Sequence, residues 1–248
     1  SDWSSDVCSS DLGWIMKKMI LFSGGAAVGK TAVLRHLIPY FKQKGLKVCV
    51  CKLDCLQANE AEIYQQLGVP FVCGLSGDIC PDHFLVSNLP ELWKWAEQMA
   101  GDYLLIESAG LCHRCSPATQ KMVSICVLDC TASCQAPQKL GPMVTKADMI
   151  VLTKVDMLSQ AEREIIIWQL TELNAQADII CVDGLVGYGC ELLGQMLCAL
   201  PDVMVYEEDL LRHPMPSGVC SYCIGEMRIG SNYQQGVVGK IDFRGANQ

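Results

Sequence analysis

The sequence has no stretch of 18 or more uninterrupted apolar residues, so no membrane-spanning helix is expected. Basic side chains are outnumbered: 19 Lys and Arg stand against 27 Asp and Glu, for a net charge of −8. That balance argues against a surface built for nucleic acid or anionic lipid. Neither a secretory signal nor an internal repeat is visible, and a cytoplasmic protein is expected. Charged residues are scarce at 19%, while half of the 248 residues are hydrophobic. A disordered chain is therefore excluded and a sizeable core can form. What the sequence holds in excess is cysteine, with 16 residues. In a chain neither small nor marked for secretion, this points to metal or redox chemistry. At least half of these thiols are expected to be small buried apolar side chains.

Residues 1–15 are rich in Ser and Asp and lack a clear period. They resemble translated sequencing-adapter sequence and are expected to be a non-native extension ahead of Met16. From Met16 short apolar runs alternate with amphipathic segments. The pattern predicts strands at 18–22, 47–52, 103–107, 123–129, 148–153 and 179–182. It predicts helices at 30–44, 59–67, 90–101, 159–174 and 189–200. Such alternation implies an α/β fold with a mostly parallel, doubly wound sheet covered by helices on both faces. A domain over 16–200 and a Cys-bearing appendage over 201–248 are expected. On helix 90–101, Trp93 and Trp95 are two residues apart, which predicts one in the core and one partly at the surface.

The strongest signal is Gly24-Gly25-Ala26-Ala27-Val28-Gly29-Lys30-Thr31. It fits G-x-x-x-x-G-K-[ST] and lies between a predicted strand and a predicted helix, as a phosphate-binding P-loop requires. Glycines let backbone N–H groups curl around phosphate oxygens, and the helix N-terminus adds positive potential. Lys30 is the expected partner of the β- and γ-phosphates, and Thr31 of Mg2+. Further on, Thr153-Lys154-Val155-Asp156 fits the base-reading [NT]-K-x-D pattern. A carboxylate at Asp156 pairs with two guanine donors that adenine lacks, so GTP is the expected nucleotide. Asp54 and Glu107, near the carboxyl ends of predicted strands, are expected to organise Mg2+ and water as the catalytic carboxylates beside Lys30.

With these motifs in place the chain resembles the metal-accessory GTPases of the HypB/UreG/CobW group. Glu107-Ser108-Ala109-Gly110 is similar to their E-S-[GV]-G switch. The runs 141–148 and 150–156 resemble the urease branch, while Asp54, Asn59-Glu60-Ala61 and Gly68-Val69-Pro70 resemble the hydrogenase branch. The likeness is co-linear over roughly 17–200. Two departures are Thr153 in place of the commoner Asn and Ala26-Ala27 at the centre of the P-loop. The signature lysine of the deviant ATPase branch is absent.

The resemblance implies a nucleotide-dependent homodimer, slow GTP hydrolysis, and delivery of a transition metal to a client metalloenzyme or another accessory protein. Nickel is the resemblance-based choice, with zinc, cobalt and iron open. Cys80-Pro81-Asp82-His83 occupies the place of the family's Cys-His metal motif with one residue inserted. In the family this site is completed across the two-fold axis. Cys112, His113 and Cys115 follow directly on the switch and form a second candidate set, for metal or for redox chemistry. Cys220 and Cys223 make a third, knuckle-like pair in the tail. Two other classes stay open: an iron–sulfur or redox carrier ATPase, and a nucleotide-dependent scaffold whose cysteines are mostly filler.

Overall fold

Strand β1 (Lys18–Ser23) is buried along its whole length, as expected of an apolar run covered on both sides. The computed structural model describes residues 16–56, 61–111, 115–132, 135–203, 208–214, 225–230, 232–234 and 238–245. The expected extension over 1–15 lies outside them. Beside β1 lie β2 (Val48–Asp54), β3 (Phe71–Leu75), β4 (Tyr103–Glu107), β5 (Val123–Asp129), β6 (Met149–Thr153) and β7 (Asp178–Cys181). They form one sheet in the order β3-β2-β4-β1-β5-β6-β7, parallel throughout. Sequence reading ended the second strand at 52, whereas β2 continues to Asp54. Its carboxylate therefore sits on the strand's final residue.

Alternation along the strands sorts side chains onto two faces. Ile20, Phe22, Val48, Val50 and Leu105 pack with α1 (Lys30–Gln43) and α8 (Cys190–Ala199). Met19, Leu21, Cys49, Cys51, Leu104 and Ile106 pack with α3 (Pro81–Val86) and α4 (Leu89–Gln98). Between β2 and β3 lies α2 (Ala61–Gln66), and α5 (Ala136–Lys139), α6 (Pro142–Thr145) and α7 (Gln160–Leu173) follow β5 and flank β6. Helix α7 starts at a capping box, with the Ser159 hydroxyl and Glu162 satisfying each other's backbone N–H groups. The chain runs from β1 out to β3 at one edge, returns to β4 beside β1, and then steps outward through β5, β6 and β7 on the other side. The crevice at the carboxyl ends of β4, β1 and β5 is thus the place where this topology binds ligands.

The end of the chain packs back onto this core. Short strands β8 (Asp209–Leu210) and β9 (Arg228–Ile229) pair antiparallel, and Thr119 bridges to Leu211. Leu211, Ile229 and Ile241 belong to the same core cluster as α3 and α4. Asn88, wholly buried, ties the last segment down. Its amide donates to the carbonyls of Phe84 at 2.7 Å and Gly239 at 3.0 Å, and its oxygen accepts from the Ile241 N–H at 2.9 Å. This segment corrects the reading of the tryptophans. Trp93 and Trp95 are both buried, at 3% and 4% exposure. Phe243 lies against Trp95 at 6.1 Å, so α4 is covered on a second side that its own periodicity does not reveal.

Candidate nucleotide and metal site

The P-loop closes over the carboxyl end of β1 in a conformation that needs glycine. Gly24 has φ +128, and a Cβ there would lie 2.1 Å from the Val127 carbonyl oxygen. Gly29, at φ 100, caps α1. The Lys30 ammonium curls back into the loop and donates to the carbonyls of Gly24 at 3.1 Å and Gly25 at 2.6 Å. Burial pulls its pKa down, while the Glu107 carboxylate pulls it up. A buried cation held by loop carbonyls, at a glycine cradle facing a helix N-terminus, fits a phosphate group.

Glu107 is the hub of the polar network. Thr31 Oγ1 donates to its Oε1 at 2.7 Å, Lys52 Nζ approaches the same oxygen at 3.2 Å, and Tyr64 OH donates to Oε2 at 2.8 Å. Lys52 and Glu107 are in register on neighbouring strands and both are buried. Asp54, half-buried, accepts from the Cys55 N–H at 2.7 Å. The expected Mg2+ pair Thr31 and Glu107 is therefore in direct contact. Asp54 lies one strand over, at the same end of the sheet. Lys52 and Tyr64 were missed in the sequence. A lysine inside the otherwise apolar run 48–53 was the available signal, since an unpaired lysine is almost never fully buried. For Tyr64 no local signal existed.

The base-reading motif occupies the end of β6. Thr153 donates its hydroxyl to the Val28 carbonyl at 2.7 Å, so it braces the P-loop. Lys154 takes a left-handed conformation at φ 56 and pairs with Asp129 at the end of β5. Asp156 is exposed in the short 3-10 turn that follows. On the other flank, the loop after β7 touches α1, with His36 Nε2 3.1 Å from the Gly184 carbonyl oxygen.

Gly110 links this region to the candidate metal motifs. It has φ +77, and a Cβ there would sit 2.5 Å from the Gly24 carbonyl oxygen and 2.8 Å from the Ala26 nitrogen. The switch loop thus lies in contact with the P-loop. A few residues on, Cys115 is buried and donates its thiol to Asp82 Oδ2 at 3.3 Å. Asp82 stands in the first turn of α3, between Cys80, which caps the helix, and His83. Burial pushes the Asp82 carboxyl up to about 6, opposed by the bond from Cys115. Burial also lowers the pKa of His83, favouring the neutral imidazole that binds metals.

Among the described residues, no three His, Cys, Asp or Glu side chains are grouped closely enough to hold a metal ion. Cys80 and His83 share one short helix start, whereas Cys115 reaches Asp82. Cys112, His113, Cys220 and Cys223 lie outside the described residues. Several other thiols are core. Burial raises Cys49, Cys126 and Cys130 to about 12 and Cys190 to about 11, so they stay protonated and are poor ligands. Cys190 is buried, while Cys181 and Cys198 are half-buried.

Sheet order, P-loop and the Thr31–Glu107 contact define a P-loop nucleotide-binding protein of the SIMIBI class. Residues 18–181 match the family described as CobW/HypB/UreG, nucleotide-binding domain, and the chain belongs to that family. It is 42% identical over 225 residues to the Methanocaldococcus jannaschii protein "Uncharacterized protein MJ0120", covering 91% of this chain and 96% of that one. It is 28% identical over 199 residues to the urease accessory protein UreG of Photorhabdus laumondii, covering 73% and 93%. Among solved structures it resembles HypB from Helicobacter pylori in complex with nickel, at TM-score 0.60 and 20% identity, covering 73% and 85%. HypB from Archaeoglobus fulgidus follows at TM-score 0.57 and 20% identity, covering 73% and 88%. Among the described residues, no helix is long and apolar enough to cross a membrane.

Proposed function

We propose that the protein binds GTP with Mg2+ and hydrolyses it slowly to GDP and phosphate. The cycle hands a transition metal to a client metalloenzyme or to another accessory protein. The observation that carries this reading is the run of contacts along one loop. Glu107 touches Thr31, Gly110 rests on the P-loop, and Cys115 is bonded to Asp82 between Cys80 and His83. A γ-phosphate that reorders the loop gives a route to the contact beside the Cys-His pair.

Individual roles follow from position. Lys30 and the N–H groups of 24–31 hold phosphates, Thr31 and Asp54 face Mg2+, and Glu107 orients water. When bound, Mg2+ supplies charge neutralisation on the β- and γ-phosphates. Asp156 reads guanine, and Lys154 lies alongside the base. Nickel heads the candidate metals, because the chain shares its fold with a HypB solved with nickel; zinc is the second candidate. Cys80 and His83 give two ligands per chain, and a nucleotide-dependent two-fold dimer doubles them to four. Cys112, His113 and Cys115 are proposed as a second set, and Cys220 and Cys223 of the tail as a third.

Phosphate release from GTP and from ATP, with Mg2+ and the full chain, tests the reaction. GTP hydrolysis below about 1 s⁻¹ with negligible ATP turnover is expected of an intrinsic GTPase. Equal turnover of ATP would overturn the guanine assignment.

A further inference from the structure

The strand β2 carries a lysine where its neighbours are apolar, and that lysine faces the nucleotide crevice. Lys52 is 6% exposed and follows Val48 and Val50, which point to the α1 face of the sheet. By strand alternation Lys52 shares that face. Its Nζ meets Glu107 Oε1, the same oxygen that accepts from the Thr31 hydroxyl. One carboxylate oxygen thus separates the Lys52 ammonium from the side chain proposed to bind Mg2+. The ammonium also lies near enough to lower the pKa of Lys30. Two buried ammonium groups converge here, with Lys30 anchored to loop carbonyls and Lys52 to Glu107.

We infer that Lys52 is a second phosphate-facing cation that distinguishes a nucleoside triphosphate from a diphosphate. This assignment rests on the guanine-nucleotide reading above. A buried ammonium needs an anion beside it, and leaving it without one is costly. With a diphosphate bound, Glu107 remains that anion and stays tied to Lys52 and Tyr64. With a triphosphate bound, the γ-phosphate brings negative charge to the Thr31 corner and takes over as the partner of Lys52. Glu107 is thereby released from one of its two cationic or hydroxyl holds on Oε1 and becomes free to orient water. Lys52 in this account both selects the triphosphate and reports its presence to the switch loop that begins at Glu107.

The test is calorimetric binding of GDP and of a non-hydrolysable GTP analogue with Mg2+, using the full chain. Wild type is compared with Lys52→Gln, Lys52→Met and Lys52→Arg. Wild type is expected to prefer the triphosphate. The two neutral variants should lose about tenfold or more of that preference, chiefly through the triphosphate, with GDP affinity held within about threefold. Lys52→Arg should recover part of the preference because it keeps the cation. A neutral variant that keeps the wild-type ratio, or that weakens both nucleotides equally, reduces Lys52 to a structural partner of Glu107 and overturns the inference. If neither neutral variant folds, wild type decides, since equal affinity for the two nucleotides contradicts the assignment. Wild type that binds neither guanine nucleotide would instead refute the GTPase reading itself.

Discussion

Cys115 and Asp82, 33 residues apart in the chain, meet as thiol donor and carboxylate acceptor at 3.3 Å in a buried contact. This contact joins the loop that leaves the nucleotide switch to the helix that presents Cys80 and His83. A hydrogen bond to a carboxylate that is mostly withdrawn from water is sensitive to small displacements of either partner. The pair is therefore suited to transmit a loop movement to the candidate metal motif.

Replacing either partner should separate the two activities. Cys115→Ala removes the donor and leaves Asp82 buried without it. GTP hydrolysis should persist within about threefold, while the dependence of metal affinity on nucleotide falls by at least about fivefold, the lower end of ordinary coupling free energies. Parallel hydrolysis assays and metal titrations measure both quantities on the same protein.

Glu107→Gln keeps the shape of the hub but removes its charge. Hydrolysis should fall by about 100-fold or more, as for loss of a group that orients the nucleophile. Binding of the triphosphate should survive, because Lys30 and the P-loop amides remain. Single-turnover phosphate release together with nucleotide binding checks both expectations.

Gly110→Ala introduces a methyl group that would lie 2.5 Å from the Gly24 carbonyl oxygen, at a φ of +77 that disfavours any side chain. The loop must shift away from the P-loop. The variant is expected to fold, to bind GDP, and to lose most of its triphosphate-dependent hydrolysis. Hydrogen exchange over 107–111, with and without nucleotide, should show the loop unresponsive to the triphosphate.

Much of this arrangement was legible from local pattern. The P-loop, the switch carboxylate and the base-reading tetrapeptide each sit at the end of a strand that its own hydrophobicity announces. What was not legible depends on contacts between distant segments. The pair Trp93 and Trp95 reads as one core and one partly exposed residue because nothing near it reveals Phe243 and the Asn88 clamp. Tyr64 reads as an ordinary helix residue until its hydroxyl is seen on Glu107. Thr153 fits its motif, yet its hydroxyl braces Val28. Cys115 reads as a ligand candidate by spacing alone, and its buried bond to Asp82 is visible only in the fold.

The buried thiols give a pH dependence of stability. Burial raises Cys49, Cys126 and Cys130 from 9.0 to about 12. A group whose pKa is raised on folding stabilises the fold fully below its unfolded value and loses that contribution as pH climbs towards the folded one. Thermal unfolding under reducing conditions should therefore be flat in this respect up to about pH 9 and should drop progressively from there towards pH 12. Cys126→Ala should reduce the slope of that decline while lowering the melting temperature at neutral pH through lost packing.

The central claim is that nucleotide and metal are coupled within one chain or its dimer. The most direct measurement is Ni2+ and Zn2+ titration of oxygen-free protein, with and without Mg2+ and a GTP analogue, for wild type and Cys80→Ala. Nucleotide-enhanced binding that includes a site near half an ion per chain, lost in Cys80→Ala, is the result this account predicts. Binding that ignores nucleotide and survives Cys80→Ala would contradict it.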